Sequence, residues 1–229
     1  MIIRTRFRRG DEVKYISHLD LMKVFERAIR RSRLPIAYSQ GFNPHPGMVF
    51  GLPLGVGVTS DAEYADFEVT DDTLAPQQFM SSLNEQLPRG LELLTARRYD
   101  SKQNIMATIS ASHYNVVVGV EQIIEEKTVK DGIKCFMALP AIRVEKRTKS
   151  GNKEVDIKSM IFDLDCEVQQ LPAFSIVKLS MLVSAGSKAN LKPDLLTEAF
   201  MGFMNMPYEI EKIHRTKLFI SDNEQLVEP

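Results

Sequence analysis

The amino-acid sequence predicts an α+β protein made of two ferredoxin-like lobes, each with the element order β-α-β-β-α-β. Segments with alternating apolar and polar residues, typical of strands, recur among segments with helical periodicity. Two such series follow one another, and a polar, weakly patterned stretch separates them. We therefore predict an N-terminal lobe over residues 1–100, a linker over 101–112 and a C-terminal lobe over 113–229, with an extra strand in the second lobe.

The first strand and the first helix have the clearest signals. Residues 2–8 alternate between apolar and basic side chains, which predicts a half-buried strand. Ser17 is a good N-cap, and Asp20 falls in the first helical turn, where a carboxylate suits the positive end of the helix dipole. The helix is expected to end before Pro35.

The other elements are predicted from periodicity and turn residues. The first lobe continues with strands at 48–54 and 64–69, a helix at 76–87 and a strand at 91–99. The second lobe has a strand at 113–120, a short helix at 120–127, a hairpin of 142–147 and 154–160, a strand at 174–183, a helix at 193–203 and a strand at 210–220.

Composition predicts a cytoplasmic protein without membrane contact. No apolar run approaches the roughly 18 residues of a transmembrane helix, and the first residues contain no apolar signal-peptide core. Two cysteines are too few for a disulfide scaffold and suit a reducing compartment.

Charge is distributed unevenly along the chain. Residues 1–60 hold ten basic and four acidic side chains, whereas the remainder holds 19 basic and 26 acidic ones. Such a division favours an anionic partner for the first quarter of the chain. The alternative is that the basic surface pairs with the acidic remainder of the same chain.

Seven basic residues are candidates for phosphate contacts, because a strand face and a helix face each collect one sign of charge. They are Arg4, Arg6, Arg8, Lys23, Arg27, Arg30 and Arg31. A solvated helix face is the alternative, supported by the spacing of Glu26 and Arg30. The aromatic signature of an ordinary RRM domain is absent from the sequence.

The start of the first helix is a candidate binding site. Its unpaired N–H groups and positive dipole suit a phosphate, and His18 is able to act as a donor or as a general acid or base. The alternative is structural: His18 shares a helical side with apolar residues, and Ser17 and Asp20 cap the helix.

The segment Tyr38–Gly47 (YSQGFNPHPG) is a second candidate. Its prolines stiffen the backbone, and its glycines allow close approach of a ligand. Gln40, Asn43 and His45 supply polar groups able to read a substrate, and Tyr38 or Phe42 offers a ring for stacking on a base. The alternative is a rigid turn with Phe42 in the core.

A metal site made by His18 and His45, with Asp20 or Asp66 as a third ligand, matches no known spacing. We therefore predict no metal and no cofactor.

Two motifs carry a resemblance to a known family. Tyr15–Met22 (YISHLDLM) followed by Tyr38–Pro46 (YSQGFNPHP) resembles the radical-SAM-linked protein family, a bacterial domain of unknown function. Matching pieces at Phe50–Gly55 and His214–Thr216 extend the resemblance over nearly the whole chain. The first lobe also resembles the ferredoxin-like RNA-binding proteins associated with CRISPR repeats.

The resemblance implies a partner of a radical-SAM enzyme in RNA or ribosome metabolism. Two cysteines do not supply the three thiolates of a radical-SAM cluster, so the enzyme is expected to be a separate chain. Our leading hypothesis is a non-enzymatic accessory protein that binds RNA or presents a substrate. The alternatives are an RNA-cleaving or hydrolytic enzyme using His18 and His45, and a module that only docks to protein.

Overall fold

A computed structural model of the chain describes residues 1–101, 103–148, 151–223 and 225–229. The chain divides into two compact units. The first contains Met1–Ile109 and Lys217–Pro229, and the second contains Ser110–Thr216. The last 13 residues, which the sequence analysis assigned to the C-terminal lobe, are thus part of the first unit.

The first unit follows the order β-α-β-β-α-β over its first 99 residues. Its elements are β1 (Ile2–Arg9), α1 (His18–Ser32), β2 (Met48–Phe50), β3 (Thr59–Glu68), α2 (Pro76–Asn84) and β4 (Leu91–Tyr99). Strand β1 lies between β3 and β4, and β2 pairs with β3, all antiparallel. A short helix, α3 (Ile105–Thr108), lies in the segment predicted to be a linker.

The core of the first unit explains why its strands and helices form where they do. Ile3 and Phe7 of β1 are buried, as the alternating pattern predicts. Helix α1 buries the stripe of Leu21, Phe25, Ala28 and Ile29, and Phe25 packs edge-to-face on Phe7 with ring centroids 5.2 Å apart. Helix α1 ends at Ser32, where Arg33 adopts a left-handed conformation with φ 54°.

The elements after α3 belong mainly to the second unit, and the end of the chain returns to the first. They are β5 (Ile109–Val120), α4 (Glu126–Ala138), β6 (Arg143–Thr148), β7 (Gly151–Asp156), β8 (Ile161–Gln170), β9 (Ser175–Ser184), α5 (Pro193–Phe203), β10 (Tyr208–Asp222) and β11 (Gln225–Val227). Strand β9 lies between β5 and β8, whereas β6 and β7 form a separate hairpin. Strand β10 extends into the first unit, where it pairs with β11.

Two elements of the second unit differ from the prediction. The short helix predicted at 120–127 is wrong: α4 begins at Glu126, and its buried stripe is Val129, Ile133 and Phe136. Asp131 and Gly132, both poor helix formers, obscure that stripe in the sequence. The hairpin predicted at 142–147 and 154–160 is present as β6–β7, whereas strand β8 was not predicted.

A mixed α+β fold with five helices in the described part of the chain confirms the predicted class. The assignment of two ferredoxin-like lobes stays a prediction. None of the helices in the described ranges is long and apolar enough to cross a membrane.

Candidate functional site

The start of α1 is capped by the side chains of Ser17 and Asp20. The Ser17 hydroxyl accepts a hydrogen bond from the Asp20 backbone N–H at 3.2 Å and donates one to the Asp20 carboxylate at 2.7 Å. These bonds confirm Ser17 as the N-cap, and the side-chain bond from Ser17 lowers the pKa of Asp20. Because the two side chains satisfy each other, they act as a cap in this structure.

His18 packs against the core of the first unit. Its ring meets Phe50 edge-on, with centroids 5.7 Å apart. Burial lowers the pKa of His18, and the nearby Arg9 charge adds to this, while Glu63 opposes it. The imidazole is therefore neutral at pH 7, and its contacts are those of a partly buried structural residue.

Segment Tyr38–Gly47, which we call the loop, is held closed at its base. The Ser39 N–H donates to the His45 carbonyl at 2.9 Å, and the His45 N–H donates to the Ser39 hydroxyl at 3.0 Å. A backbone bridge joins Tyr38 to Pro46. Phe42 is fully exposed at the tip of the loop, so the alternative that it fills the core is wrong.

The loop forms one wall of a cavity of about 440 Å³. Among the predicted site residues, Tyr38 and His45 line this cavity. The lining residues do not include the other predicted site residues, which are Ser17, His18, Asp20, Gln40, Phe42 and Asn43. The two histidines that the enzyme hypothesis needs therefore do not share this cavity.

Three polar residues of the same cavity that lie outside the loop were missed by the sequence analysis. They are Glu68, at the end of β3, and Gln103 and Asn104, in the predicted linker. Tertiary contacts bring them to the loop from segments 20 residues or more away, so local sequence gives no signal for them. Asp66 also lines the cavity.

The loop is tied to helix α1. His45 Nδ1 lies 3.7 Å from Glu26 Oε1, on the polar side of the helix. This contact replaces the Glu26–Arg30 pair that the spacing suggested. It places the loop beside the helix that carries four of the candidate basic residues.

The basic residues of α1 differ in how they are engaged. Arg31 donates to the Gln86 carbonyl at 2.5 Å, and Lys23 lies 3.6 Å from Asp20. Arg27 and Arg30 are exposed, and neither forms a salt bridge within the described part of the chain. These two guanidinium groups are the free cations of the helix face.

The arginines of β1 are engaged by carboxylates. Arg4 is 1% exposed and makes two hydrogen bonds to the Asp66 carboxylate, at 2.7 and 2.8 Å. Its cross-strand neighbour is an acid, so Arg4 fits the alternative in which basic residues pair with the acidic remainder of the chain. Arg8 pairs with Asp61 and Glu92, and Arg6 lies 3.5 Å from Glu228.

Arg9 is a buried structural residue that the sequence analysis did not identify. It is 1% exposed and donates to backbone carbonyls in two segments. The acceptors are Val13, Lys14, Ile16 and Leu54. Arg9 thereby fixes the backbone that leads into α1.

The described residues contain no cluster of three or more His, Cys, Asp or Glu side chains suited to a metal ion. Of the two cysteines, Cys135 is exposed, and burial raises the pKa of Cys166 to about 11.

Comparison with protein families gives one match. The family described as "Uncharacterized protein conserved in bacteria (DUF2344)" matches residues 3–193. The chain belongs to this family. No curated protein matches this DUF2344 member.

Several solved structures are similar to the chain at low identity. A chain of a Cbf5-Nop10-Gar1 complex matches with a TM-score of 0.53 and 9% identity, covering 96% of this chain and 50% of that one. A chain of the archaeal box H/ACA sRNP Nop10-Cbf5 complex matches at 0.47, with 8% identity and coverages of 93% and 46%. A chain of an H/ACA RNP bound to a substrate RNA matches at 0.48, with 8% identity and coverages of 94% and 47%. The DUF2344 member spans about half the length of these chains.

Proposed function

We propose that the protein is an accessory RNA-binding protein that presents RNA to a radical-SAM enzyme on a separate chain. The observation that carries this proposal is the combination of two free, exposed arginines on α1 with a fully exposed phenylalanine on the adjoining loop. The two ferredoxin-like lobes remain part of the proposal, supported by the β-α-β-β-α-β order of the first unit.

Helix α1 supplies the electrostatic part of the binding surface. Arg27 and Arg30 are three residues apart, so they lie on the same face of the helix. Lys23 extends that face by one turn. Since carboxylates do not neutralise the two arginines, their charge is available to an RNA backbone.

The loop supplies the contacts to bases. A fully exposed phenylalanine is costly in water, and stacking on a base would cover it. The cavity beside the loop is lined by His45, Glu68 and Gln103, whose side chains carry polar groups. These groups are suited to hydrogen bonds with the edges of an unstacked base.

The link to a radical-SAM enzyme is supported by the sequence resemblance in the Tyr15–Met22 and Tyr38–Pro46 motifs. It is a separate part of the proposal and needs its own experiment. Co-purification with the enzyme that is lost after nuclease treatment would point to RNA as the bridge. Co-purification that survives nuclease would favour direct docking between the proteins.

RNA binding is tested by fluorescence anisotropy with a labelled single-stranded oligoribonucleotide over a series of salt concentrations. The affinity of the wild-type protein should fall linearly on a logarithmic plot as salt rises. In Arg27→Ala/Arg30→Ala, the slope should decrease by about 1.4, because each phosphate contact to a single strand contributes about 0.7. Phe42→Ala should weaken binding at every salt concentration by about 1–3 kcal/mol without changing the slope.

Lys127→Ala/Lys134→Ala is the matched control. It removes the same charge from exposed positions of another helix, α4. The control should keep the wild-type slope. Binding that does not depend on salt, or an equal change of slope in both double variants, would reject α1 as the phosphate-binding face.

A further inference from the structure

A second cavity of the first unit, of about 310 Å³, is lined by arginines. Arg4 and Arg6 of β1 and Arg97 of β4 line it, together with Tyr64 of β3. Glu228 is the only acidic side chain among the described residues that line it. This cavity has no lining residue in common with the cavity under the loop.

Two guanidinium nitrogens at this cavity have no acceptor. Among the described residues, neither Nη1 of Arg4 nor Nε of Arg6 finds a hydrogen-bond partner, although both atoms are buried. A buried donor that finds no acceptor destabilises the folded protein, and a charged donor does so more strongly. Two such donors at one cavity therefore point to an acceptor that binds there.

Glu228 is an acceptor for only part of this arginine cluster. Its carboxylate lies 3.5 Å from Arg6 Nη1 and 3.4 Å from Lys217 Nζ. It reaches neither of the two unpaired nitrogens. On the other side of Arg4, Asp66 already occupies Nε and Nη2, so that Nη1 is the free edge of this guanidinium.

The remaining lining groups also suit an anion. Arg97 is exposed and has no salt bridge within the described ranges, so its charge is available. Burial raises the pKa of Tyr64 to about 12, which keeps its hydroxyl protonated and able to donate. The Arg4 guanidinium is held in place by stacking on Tyr99, 3.5 Å from the ring centroid.

We infer that this cavity binds a phosphate group, and that the Glu228 carboxylate competes with that group for Arg6. A phosphate offers more acceptor oxygens than a carboxylate, arranged in three dimensions. It is able to reach Arg4, Arg6 and Arg97 together, whereas Glu228 leaves two buried donors unpaired. The phosphate is either a free anion or the terminal phosphate of an RNA strand, and both have the same chemistry at this site.

Isothermal titration calorimetry with inorganic phosphate at constant ionic strength tests the inference. Glu228→Gln should bind phosphate about tenfold more tightly than the wild-type protein, because the competing charge is gone. Arg97→Gln should bind about tenfold or more weakly, since a charge-assisted hydrogen bond is lost. Circular dichroism melts of each variant establish that it is folded.

Arg98→Gln is the matched control, because it removes the same charge from the neighbouring position of β4. Arg98 donates to the Asp72 carbonyl and does not line the cavity. It should bind phosphate as the wild-type protein does. No phosphate binding by folded Glu228→Gln, or an equal loss in Arg97→Gln and Arg98→Gln, would overturn the inference.

The source of the phosphate is distinguished by comparing 5′-phosphorylated and 5′-hydroxyl forms of one oligoribonucleotide. A preference for the phosphorylated form that Arg97→Gln removes assigns the site to an RNA end. Binding of inorganic phosphate without such a preference assigns it to a free anion. The inference does not depend on the proposed function, because Arg27→Ala/Arg30→Ala should leave phosphate binding unchanged.

Discussion

Strand β1 and helix α1 carry the same kind of charge, but the structure uses it differently. Arg4, Arg6 and Arg8 of β1 each face a carboxylate, and Arg4 is almost completely buried. Arg27 and Arg30 of α1 face solvent without a salt bridge in the described part of the chain. In sequence, the two sets are both basic runs within the first 31 residues.

The difference arises from their neighbours. A central strand has a residue directly opposite on each side, and in the ladders of β1 Arg4 faces Asp66 and Arg8 faces Glu92. On the polar face of a surface helix, the nearest side chains are those three or four residues away in its own sequence. A basic run in a central strand is therefore matched to acids far along the chain, whereas one on a helix surface remains available to an external anion.

The largest expected effect tests the buried pair. Asp66→Ala should lower the free energy of unfolding by about 3–5 kcal/mol, because it leaves the Arg4 charge buried without its partner. Chemical denaturation measures this change. Asp61→Ala is the matched control: Asp61 pairs with Arg8 where both side chains are about half exposed, and its loss should cost about 1 kcal/mol or less.

Equal losses in the two variants would show that burial does not distinguish the strand pairs. Asp66 also lines the cavity under the loop, so the RNA affinity of Asp66→Ala should be measured as well as its stability. RNA affinity should be compared only under conditions in which the variant is folded.

The sequence predicted local features well. The bounds of β4 and α5 agree with the structure residue for residue, and Ser17 is the N-cap. The sequence did not predict contacts between residues far apart in the chain. The burial of Arg4, for example, depends on Asp66, 62 residues away. No local pattern reveals such a partner, since register between strands is set by the fold as a whole.

A smaller effect is expected at the start of α1. Ser17→Ala should cost about 1 kcal/mol of stability, because it leaves the Asp20 N–H without its side-chain acceptor. Ser17→Gly should lower the stability by only a few tenths of a kcal/mol, because glycine is a better N-cap than alanine. Thermal or chemical denaturation compares the two variants.

The RNA affinity of the two variants, compared with the wild-type protein at the same folded fraction, distinguishes a capping role of Ser17 from a role in RNA binding. If Ser17 and Asp20 hold only the helix end, both variants should bind RNA as the wild-type protein does. A loss of affinity in Ser17→Ala without a loss of stability would instead restore Ser17 to the binding site.

His18 is expected to affect the free energy of unfolding only within a limited pH range. Burial lowers its pKa in the folded state, so the folded protein favours the neutral ring. Its contribution to stability is complete above the unfolded value of 6.5 and is lost as the pH falls through the lower, folded value. His18→Gln should therefore lose less stability than the wild-type protein between pH values of about 7 and 5.

Denaturation at several pH values measures the difference between the two proteins. The other three histidines and all carboxylates are common to both, so the difference isolates His18. An identical dependence on pH in the two proteins would mean that His18 titrates as it does in the unfolded chain.

The candidate site was predicted only in part. The loop could be identified because proline and glycine are concentrated there, and its closure follows from that local sequence. Glu68, Gln103 and Asn104 could not be identified, because they reach the same cavity from other segments. The contact of His45 with Glu26 also joins segments that have no sequence relationship.

The smallest expected effect on stability completes the comparison of strand and helix. Arg27→Ala/Arg30→Ala should change the free energy of unfolding by about 0.5 kcal/mol or less, because neither arginine has a salt bridge with another described residue and alanine favours helix. Chemical denaturation at low and high salt provides the measurement. A loss of 2 kcal/mol or more, on the order of a buried interaction, would mean that these charges are structural, as in β1. A negligible loss together with a reduced salt dependence of RNA binding would separate the two regions: the Arg4–Asp66 pair of the strand maintains the fold, and the arginines of the helix remain available to a partner.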